Sequence, residues 1–202
     1  MGTLIHPSPP VDAAYHTAGQ KFGSRLKRQE VADRFRSAFP KVCSDQGEQT
    51  SALQERERWR RVVGIVFDDV DPQSAEPLFD HLWDHFAQSQ HWQVSDGAEA
   101  VWQSFIDRGW KVGIASNFDS RLCQIAAELS PLDRAEWLFY SEALQWSKPA
   151  AQFYDKIQTT LGVPCESLLM IGDSWENDYE APRRAGWQAI CTDNLASIAN
   201  GL

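Results

Sequence analysis

Basic residues are in short supply in this sequence. Against 28 Asp and Glu there are 19 Lys and Arg, a formal net charge of -9. Wrapping nucleic acid needs phosphate-neutralising Lys and Arg, so no nucleic-acid partner is expected. An acidic ligand can still be met locally, through a metal or a helix start. Cysteine is sparse and scattered. Cys43, Cys123, Cys165 and Cys191 form no CxxC pair, which speaks against zinc or a disulfide framework and for ordinary thiols in a reducing, cytoplasmic setting. No run approaches the roughly 20 apolar residues of a membrane span. The N-terminus lacks the basic-then-apolar pattern of a secretory signal. Met1-Gly2 opens like a myristoylation sequence, but the Ser or Thr required at the sixth position is His6. No membrane partner is expected. Apolar residues are plentiful, 43% of 202, with nine Trp. That fills a real core, so disorder is a poor description, and the length suits one large domain or a core carrying a smaller one.

The chain changes grammar near residue 92. From residue 11 onward it reads as helices. Val31, Phe35 and Phe39 recur at four-residue spacing in "RQEVADRFRSAF". "SALQERERWRRVVGIVF" continues the pattern after a polar stretch from Ser44 to Thr50. "AEPLFDHLWDHFAQ" places Leu78, Phe79, Leu82, Trp83 and Phe86 on one face, with Pro77 in the first turn. No β segment stands out. From about residue 98, short apolar runs alternate with helical ones: "WKVGIAS", "EWLFYS", "SLLMIGDS" and "WQAICTD" as strands, and helices closed by Gly109, Gly162 and Gly186. Such alternation predicts a mostly parallel α/β sheet. In these sheets the site lies past the C-terminal strand ends, which selects Ser116 and Asn117, Ser141 and Glu142, and Asp173 to Asp178.

Three stretches carry chemistry. In "IGDSWENDYEAPRRAG" two carboxylates, Asp173 and Asp178, stand near one strand end; hard cations want oxygen ligands there, and a helix N-cap wants Asp for its own reasons. "VGIASNFDSRL" places the Ser116 hydroxyl and the Asn117 amide after a buried strand. A Ser in that place binds phosphate together with backbone N–H groups, or caps the following helix. "SKPAAQFYDKI" sets Lys148 before a helix, either to neutralise phosphate charge or as an exposed loop lysine.

The order Ser/Asn, Lys-Pro, then Gly-Asp-x-x-x-x-Asp resembles the haloacid dehalogenase superfamily, a large group of mostly Mg2+-dependent phosphatases. "ASN" at 115–117 resembles its second motif, Lys148 its third and "GDSWEND" at 172–178 its fourth. "HWQVSDGAEAV", "SNFDSRL" and "SEALQWSKPAAQF" are similar to the branch of haloacid dehalogenase-like domain-containing protein 3. The resemblance covers nearly the whole chain. It implies a Rossmann-like, mostly parallel core at 93–202, an inserted all-helical cap at 9–92, and residues 1–8 as the remnant of a first motif and linker. It also implies a small phosphorylated substrate, with Ser116, Asn117 and Lys148 on the phosphoryl group, and Ser116, Lys148 and Asp173 as the catalytic set. Mg2+ is expected on Asp173 and Asp178.

In that superfamily the first motif, Asp-x-Asp-Gly-Thr-Leu or Asp-x-x-Gly-Thr-Leu, supplies the aspartate that attacks phosphorus. Gly2-Thr3-Leu4 matches its last three letters and Met1 its third position, so the nucleophile falls two residues before Met1. The expectation is a natural chain that begins further upstream, with a Val codon read as an initiator, and little activity for the sequence as it stands. The first core strand is expected to be missing, leaving two sheet edges facing a gap that a rearranged N-terminus or a homo-oligomer contact fills. A rival first motif, Asp69-x-Asp71 in "VVGIVFDDVDP", has Gln73 where Thr is required and follows a helical run. Two other functions share the fold. One is a 2-haloacid dehalogenase, which needs no Mg2+; the paired carboxylates, repelling an anionic haloacid, speak against it. The other is a non-catalytic binding or scaffold protein, favoured by the absent nucleophile.

Overall fold

The computed structural model describes residues 2–201. The chain runs β1 (Ile5–Pro7), α1 (Val11–Lys21), α2 (Arg28–Gln46), α3 (Ala52–Val66), α4 (Pro72–His85), β2 (Trp92–Val94), α5 (Ala98–Asp107), β3 (Gly113–Ser116), α6 (Arg121–Glu128), β4 (Trp137–Tyr140), α7 (Ser141–Leu144), α8 (Ala151–Leu161), β5 (Leu169–Gly172), α9 (Ala181–Arg184), β6 (Gln188–Cys191) and α10 (Leu195–Gly201). It divides into two compact units. One comprises the residues up to His6, Glu48–Ser51 and the chain from Val94 on; the other comprises Pro7–Gly47 and Ala52–Gln93. Among the described residues no helix is long and apolar enough to cross a membrane.

The helical unit is built by α1 to α4. Its core joins Tyr15, Val31, Val42, Val62, Val66, Leu78, Phe79 and Leu82; of these the helical spacing singled out Val31, Leu78, Phe79 and Leu82. Val31 is core, while Phe35 and Phe39 pack at its margin and stack on each other at 5.7 Å. One buried ion pair, Arg58 to Glu55 at 2.8 Å, lies within α3. The start of α4 differs from the sequence reading. Asp71 caps it, accepting a hydrogen bond from the Gln73 N–H at 2.8 Å, and Pro72 takes the first turn. Pro77 therefore sits inside the helix. An Asp-Pro start satisfies an orphan N–H and presets φ, and burial of Leu78, Phe79 and Leu82 on the same helix helps offset the cost of an interior Pro. The rival motif is absorbed by this cap and by Asp69, which accepts from the Ser24 hydroxyl and the Arg25 N–H.

The other unit is the α/β core. β3 and β4 are parallel, with Gly113 opposite Trp137 and Ser116 opposite Tyr140. β5 and β6 are parallel, with Leu169 opposite Gln188 and Gly172 opposite Cys191. Phe153, Tyr154 and Ile157 of α8 pack with Met170 and Trp187. Ala98, Val101 and Phe105 of α5 pack with Leu195 and Ile198 of α10, a helix that the sequence reading left out.

The strands do not form one continuous sheet. Among the described residues β3 pairs only with β4 and β5 only with β6. A slot of about 680 Å3 is lined by β3 and β5 and by Val101, Trp102 and Phe105 of α5. The expected gap is thus present and the sheet has not closed over it. A rearranged N-terminus does not fill it either. Thr3 to Ile5 line the slot, but Ile5–Pro7 pairs with the three residues of β2 in a separate two-stranded sheet. Three-residue strands give the sequence no periodicity to show, which is why neither was anticipated.

Candidate functional site

The site forms where β3 and β5 end. Ser116 is the last residue of β3 and is buried, 5% exposed. Its hydroxyl has no hydrogen-bond partner in the structure. The Lys148 ammonium donates to the carbonyl of Ala115, the residue before Ser116, at 3.2 Å. It also meets the Asp178 carboxylate at 2.5 Å, with both side chains under one-tenth exposed. Ser116, Lys148 and Asp178 all line the slot.

The turn after β5 explains why Asp178 reaches inward. Residues Trp175–Glu180 form a π-helix, a rare winding that recurs at functional sites. Ser174 caps it by accepting from the Asn177 N–H, and the Ser174 N–H donates back to the second Asp178 oxygen at 3.1 Å. Gly172 makes room, because a Cβ there would run into the Asp178 carboxyl group. The Tyr154 hydroxyl donates to the Asn177 carbonyl from below. Burial, and then the nearby Asp178 charge, push the Tyr154 phenol well above its ordinary pKa. It stays protonated and keeps donating.

Asp173 is placed differently. It is exposed, and its carboxylate accepts from the Thr3 hydroxyl, which in turn accepts from the Asp173 N–H at 3.1 Å. Gly2 lies against it with φ +105, and a Cβ at Gly2 would come 2.5 Å from an Asp173 oxygen. The Gly-Thr of the opening sequence therefore cradles the first carboxylate. Met1, which the resemblance aligns with the third motif position, lies outside the described residues.

Asn117 spends both ends of its amide on the Lys148 backbone, donating to its carbonyl at 2.8 Å and accepting from its N–H at 2.7 Å. That makes it a positioning residue for the lysine rather than a group offered to a ligand. Ser141 and Glu142, also at a strand end, brace the loop after β3: Ser141 donates to the Phe118 carbonyl and Glu142 accepts from the Ser120 N–H. In the sequence the segment Glu48–Ser51 shows only as the end of the polar stretch from Ser44 to Thr50 and the residue after it. It crosses to the α/β unit, where the Ser147 N–H and hydroxyl both donate to the Glu48 carbonyl and Gln49 bridges to Trp146. Lys148 is thus held from three directions, and neither Thr3, Tyr154 nor Glu48 carried a sequence signal strong enough to find it.

Among the described residues no three His, Cys, Asp or Glu side chains form a metal cage. Asp173 and Asp178 still fit Mg2+ in chemistry. Both are hard carboxylate donors at one strand end, and Mg2+ keeps several waters when protein supplies one or two carboxylates. Asp173 is the freer of the two. Asp178 already holds Lys148 and the Ser174 N–H.

Residues 1–186 match the family of haloacid dehalogenase-like hydrolases. The haloacid dehalogenase-like hydrolase domain-containing protein 3 of Bos taurus is 27% identical over 198 residues, covering 93% of this chain and 77% of its own. The pyrimidine 5'-nucleotidase PynA of Streptococcus pneumoniae is 33% identical over 133 residues, covering 55% of this chain and 54% of its own. Among solved structures, the HAD-hydrolase YfnB of Bacillus subtilis, bound to magnesium, superposes with a TM-score of 0.64 at 16% identity, covering 91% of this chain and 79% of its own. The strand-end serine, the anchored lysine, the two carboxylates and the matched length together make this chain a member of the haloacid dehalogenase-like hydrolases.

Proposed function

We propose that this protein is a Mg2+-dependent phosphatase of small phosphorylated metabolites. In this reading the attacking carboxylate is carried on a strand outside these 202 residues, and the chain by itself turns over only at trace level. The reaction converts a phosphomonoester and water into an alcohol and orthophosphate: the phosphorus–oxygen bond to the leaving group breaks and one to the incoming oxygen forms. The observation that carries this reading is the Ser116 hydroxyl, buried and unpartnered, one residue on from the Ala115 carbonyl that accepts from the Lys148 ammonium. An unpaired buried hydroxyl costs about 1–3 kcal/mol, which a phosphoryl oxygen accepting its proton would relieve.

The other roles follow from placement. Lys148, held by Asn117 and Asp178, offsets the negative charge of the phosphoryl group and of the transition state. Asp173 would hold Mg2+ directly, and Asp178 would help from behind Lys148. Mg2+, when bound, supplies positive charge against the phosphoryl oxygens. Asp178 is committed to Lys148 and Ser174, and Asp173 is given to the metal in this reading, so neither is assigned the attack. The slot between β3 and β5 is lined by Ser116, Lys148 and Asp178 of this group. It is the natural seat for a strand delivering the nucleophile from a longer form of the chain; a homo-oligomer contact could cover its edges but would bring no nucleophile. The four cysteines stand as free thiols, in keeping with a cytoplasmic setting.

Titration calorimetry of the chain with orthophosphate in the presence of Mg2+, run beside a p-nitrophenyl phosphate assay, tests this. Phosphate binding that Ser116→Ala weakens, with trace turnover, is the expected result. Turnover at ordinary enzyme rates would refute the missing nucleophile. Halide release from a 2-haloacid that survives a chelator would make the protein a dehalogenase, and the absence of any phosphate binding would leave a scaffold.

A further inference from the structure

One aromatic group at this strand end has no part in the site as described. Trp175 follows Asp173 and Ser174 directly and opens the π-helix that carries Asp178. It is 58% exposed, the most exposed tryptophan among the described residues. Exposure of a large indole is costly in apolar area, and this one is also held in place. Its ring packs on Tyr179 in a tilted contact, centroids 4.4 Å apart and planes at 31°. Tyr179 is fixed in turn by Arg183, whose guanidinium lies 5.0 Å from the ring centroid and donates to the hydroxyl at 2.7 Å. A ring backed on one side by such a contact has that side covered and presents the rest to solvent. Pre-ordered aromatic faces of this kind bind planar groups with little loss of side-chain entropy.

We propose that Trp175 is the platform on which a planar ring of the leaving group stacks, so that the preferred substrates are nucleoside monophosphates rather than phosphates of aliphatic alcohols or bare sugars. The inference rests on the phosphatase reading and deepens it. Ser174 ties the platform to the site: its N–H and hydroxyl hold Asp178 and Asn177 on one side, and Trp175 follows it on the other. Trp175 opens the π-helix whose Asp178 meets the Lys148 ammonium, so the platform and the lysine assigned to the phosphoryl group belong to one strand end. Stacking on an aromatic side chain is tolerant of which base is presented, so the platform selects for a planar ring and not for one base.

Calorimetric titrations with Mg2+ present decide the matter, comparing orthophosphate, ribose 5-phosphate, uridine 5'-monophosphate and adenosine 5'-monophosphate on the chain and on Trp175→Ala and Trp175→Phe. Both nucleotides should bind about tenfold more tightly than ribose 5-phosphate, within the range of base–aromatic stacking. Trp175→Ala should bring them down to the ribose 5-phosphate level while leaving orthophosphate and ribose 5-phosphate unchanged, and Trp175→Phe should keep most of the preference. The proposal is overturned if nucleotides and ribose 5-phosphate bind alike, or if the preference survives Trp175→Ala. Orthophosphate binding without a base preference would sink the platform alone; no orthophosphate binding would sink the phosphatase reading as well.

Discussion

The Lys148 ammonium and the Asp178 carboxylate lie 2.5 Å apart, and each side chain is less than one-tenth exposed. A pair this buried is held by mutual need. Each charge has lost its water, and each would stand uncompensated without the other. Replacing one partner, Lys148→Met or Asp178→Leu, should cost about 3–5 kcal/mol, the range for breaking a buried pair. Replacing both together should cost less than either alone, since no orphan charge remains. Urea unfolding of the two single variants and the double variant measures the coupling directly. Additive costs would mean that water reaches the pair.

Gly172 makes the same geometry testable from the backbone. Its missing Cβ leaves the volume into which the Asp178 carboxyl group folds. Gly172→Ala should destabilise the chain by about 1–3 kcal/mol, the usual cost of overpacking, and should weaken orthophosphate binding by displacing Asp178 from Lys148. Gly64 has open space at its Cβ position and lies inside α3, so Gly64→Ala should instead raise stability by about 0.4–1 kcal/mol. Thermal melts of the two variants, run together, separate the cases by sign.

Much of this site was legible because its residues sit where topology sends them. Ser116, Asp173 and Asp178 follow strands, and strand ends are where such sheets build sites. The role of Asn117 was not legible, since its partner is the backbone of Lys148, 31 residues away, and no spacing rule reaches that far. Thr3 was read only as a letter in a motif; its hydrogen bond to Asp173 spans 170 residues. The fold shows the same division. α2 to α4 announced themselves by four-residue recurrence of apolar side chains. β1 and β2 are three residues each, shorter than any period that could mark them. The return of Glu48–Ser51 to the α/β unit rests on backbone hydrogen bonds, which side-chain patterns do not encode.

The helical unit carries a pH liability at His85. Its ring stacks on His91 at 3.6 Å and 16°, and its Nε2 is buried without a partner. Burial first, and then the neighbouring His91 and His81, bring its pKa down from 6.5 to about 4. The folded state therefore resists protonation that the unfolded chain accepts. The unfolded state binds more protons between about pH 6.5 and pH 4, so stability is complete above the first value and declines as pH falls toward the second. Unfolding midpoints measured from pH 7 down to pH 5 should drop, and His85→Phe should flatten the profile while leaving the pH 7 value within about 1 kcal/mol. An unchanged slope in the variant would place the acid sensitivity elsewhere.

The slot between β3 and β5 makes a further demand on the tryptophans that line it. Trp102 is 3% exposed, yet its indole N–H has no acceptor, and the same holds for Trp187. Trp92 is nearly as buried but donates to the Phe86 carbonyl at 3.2 Å. Exchanging Trp for Phe keeps a ring at both sites, so the difference between the two substitutions reports chiefly the hydrogen bond, with the Trp92 edge contact to Phe86 acting in the same direction. Trp92→Phe should therefore cost about 1 kcal/mol more than Trp102→Phe, the net worth of one bond plus the carbonyl left without a donor. If an extended segment occupies the slot, as the proposed nucleophile strand would, its backbone carbonyls supply the acceptor that Trp102 lacks, and the two costs converge. Urea midpoints of both variants, in the 202-residue chain and in a form extended at its N-terminus, thus report whether the slot has been filled. Equal costs in the 202-residue chain would mean that Trp102 already has a partner there and that the slot is closed in solution.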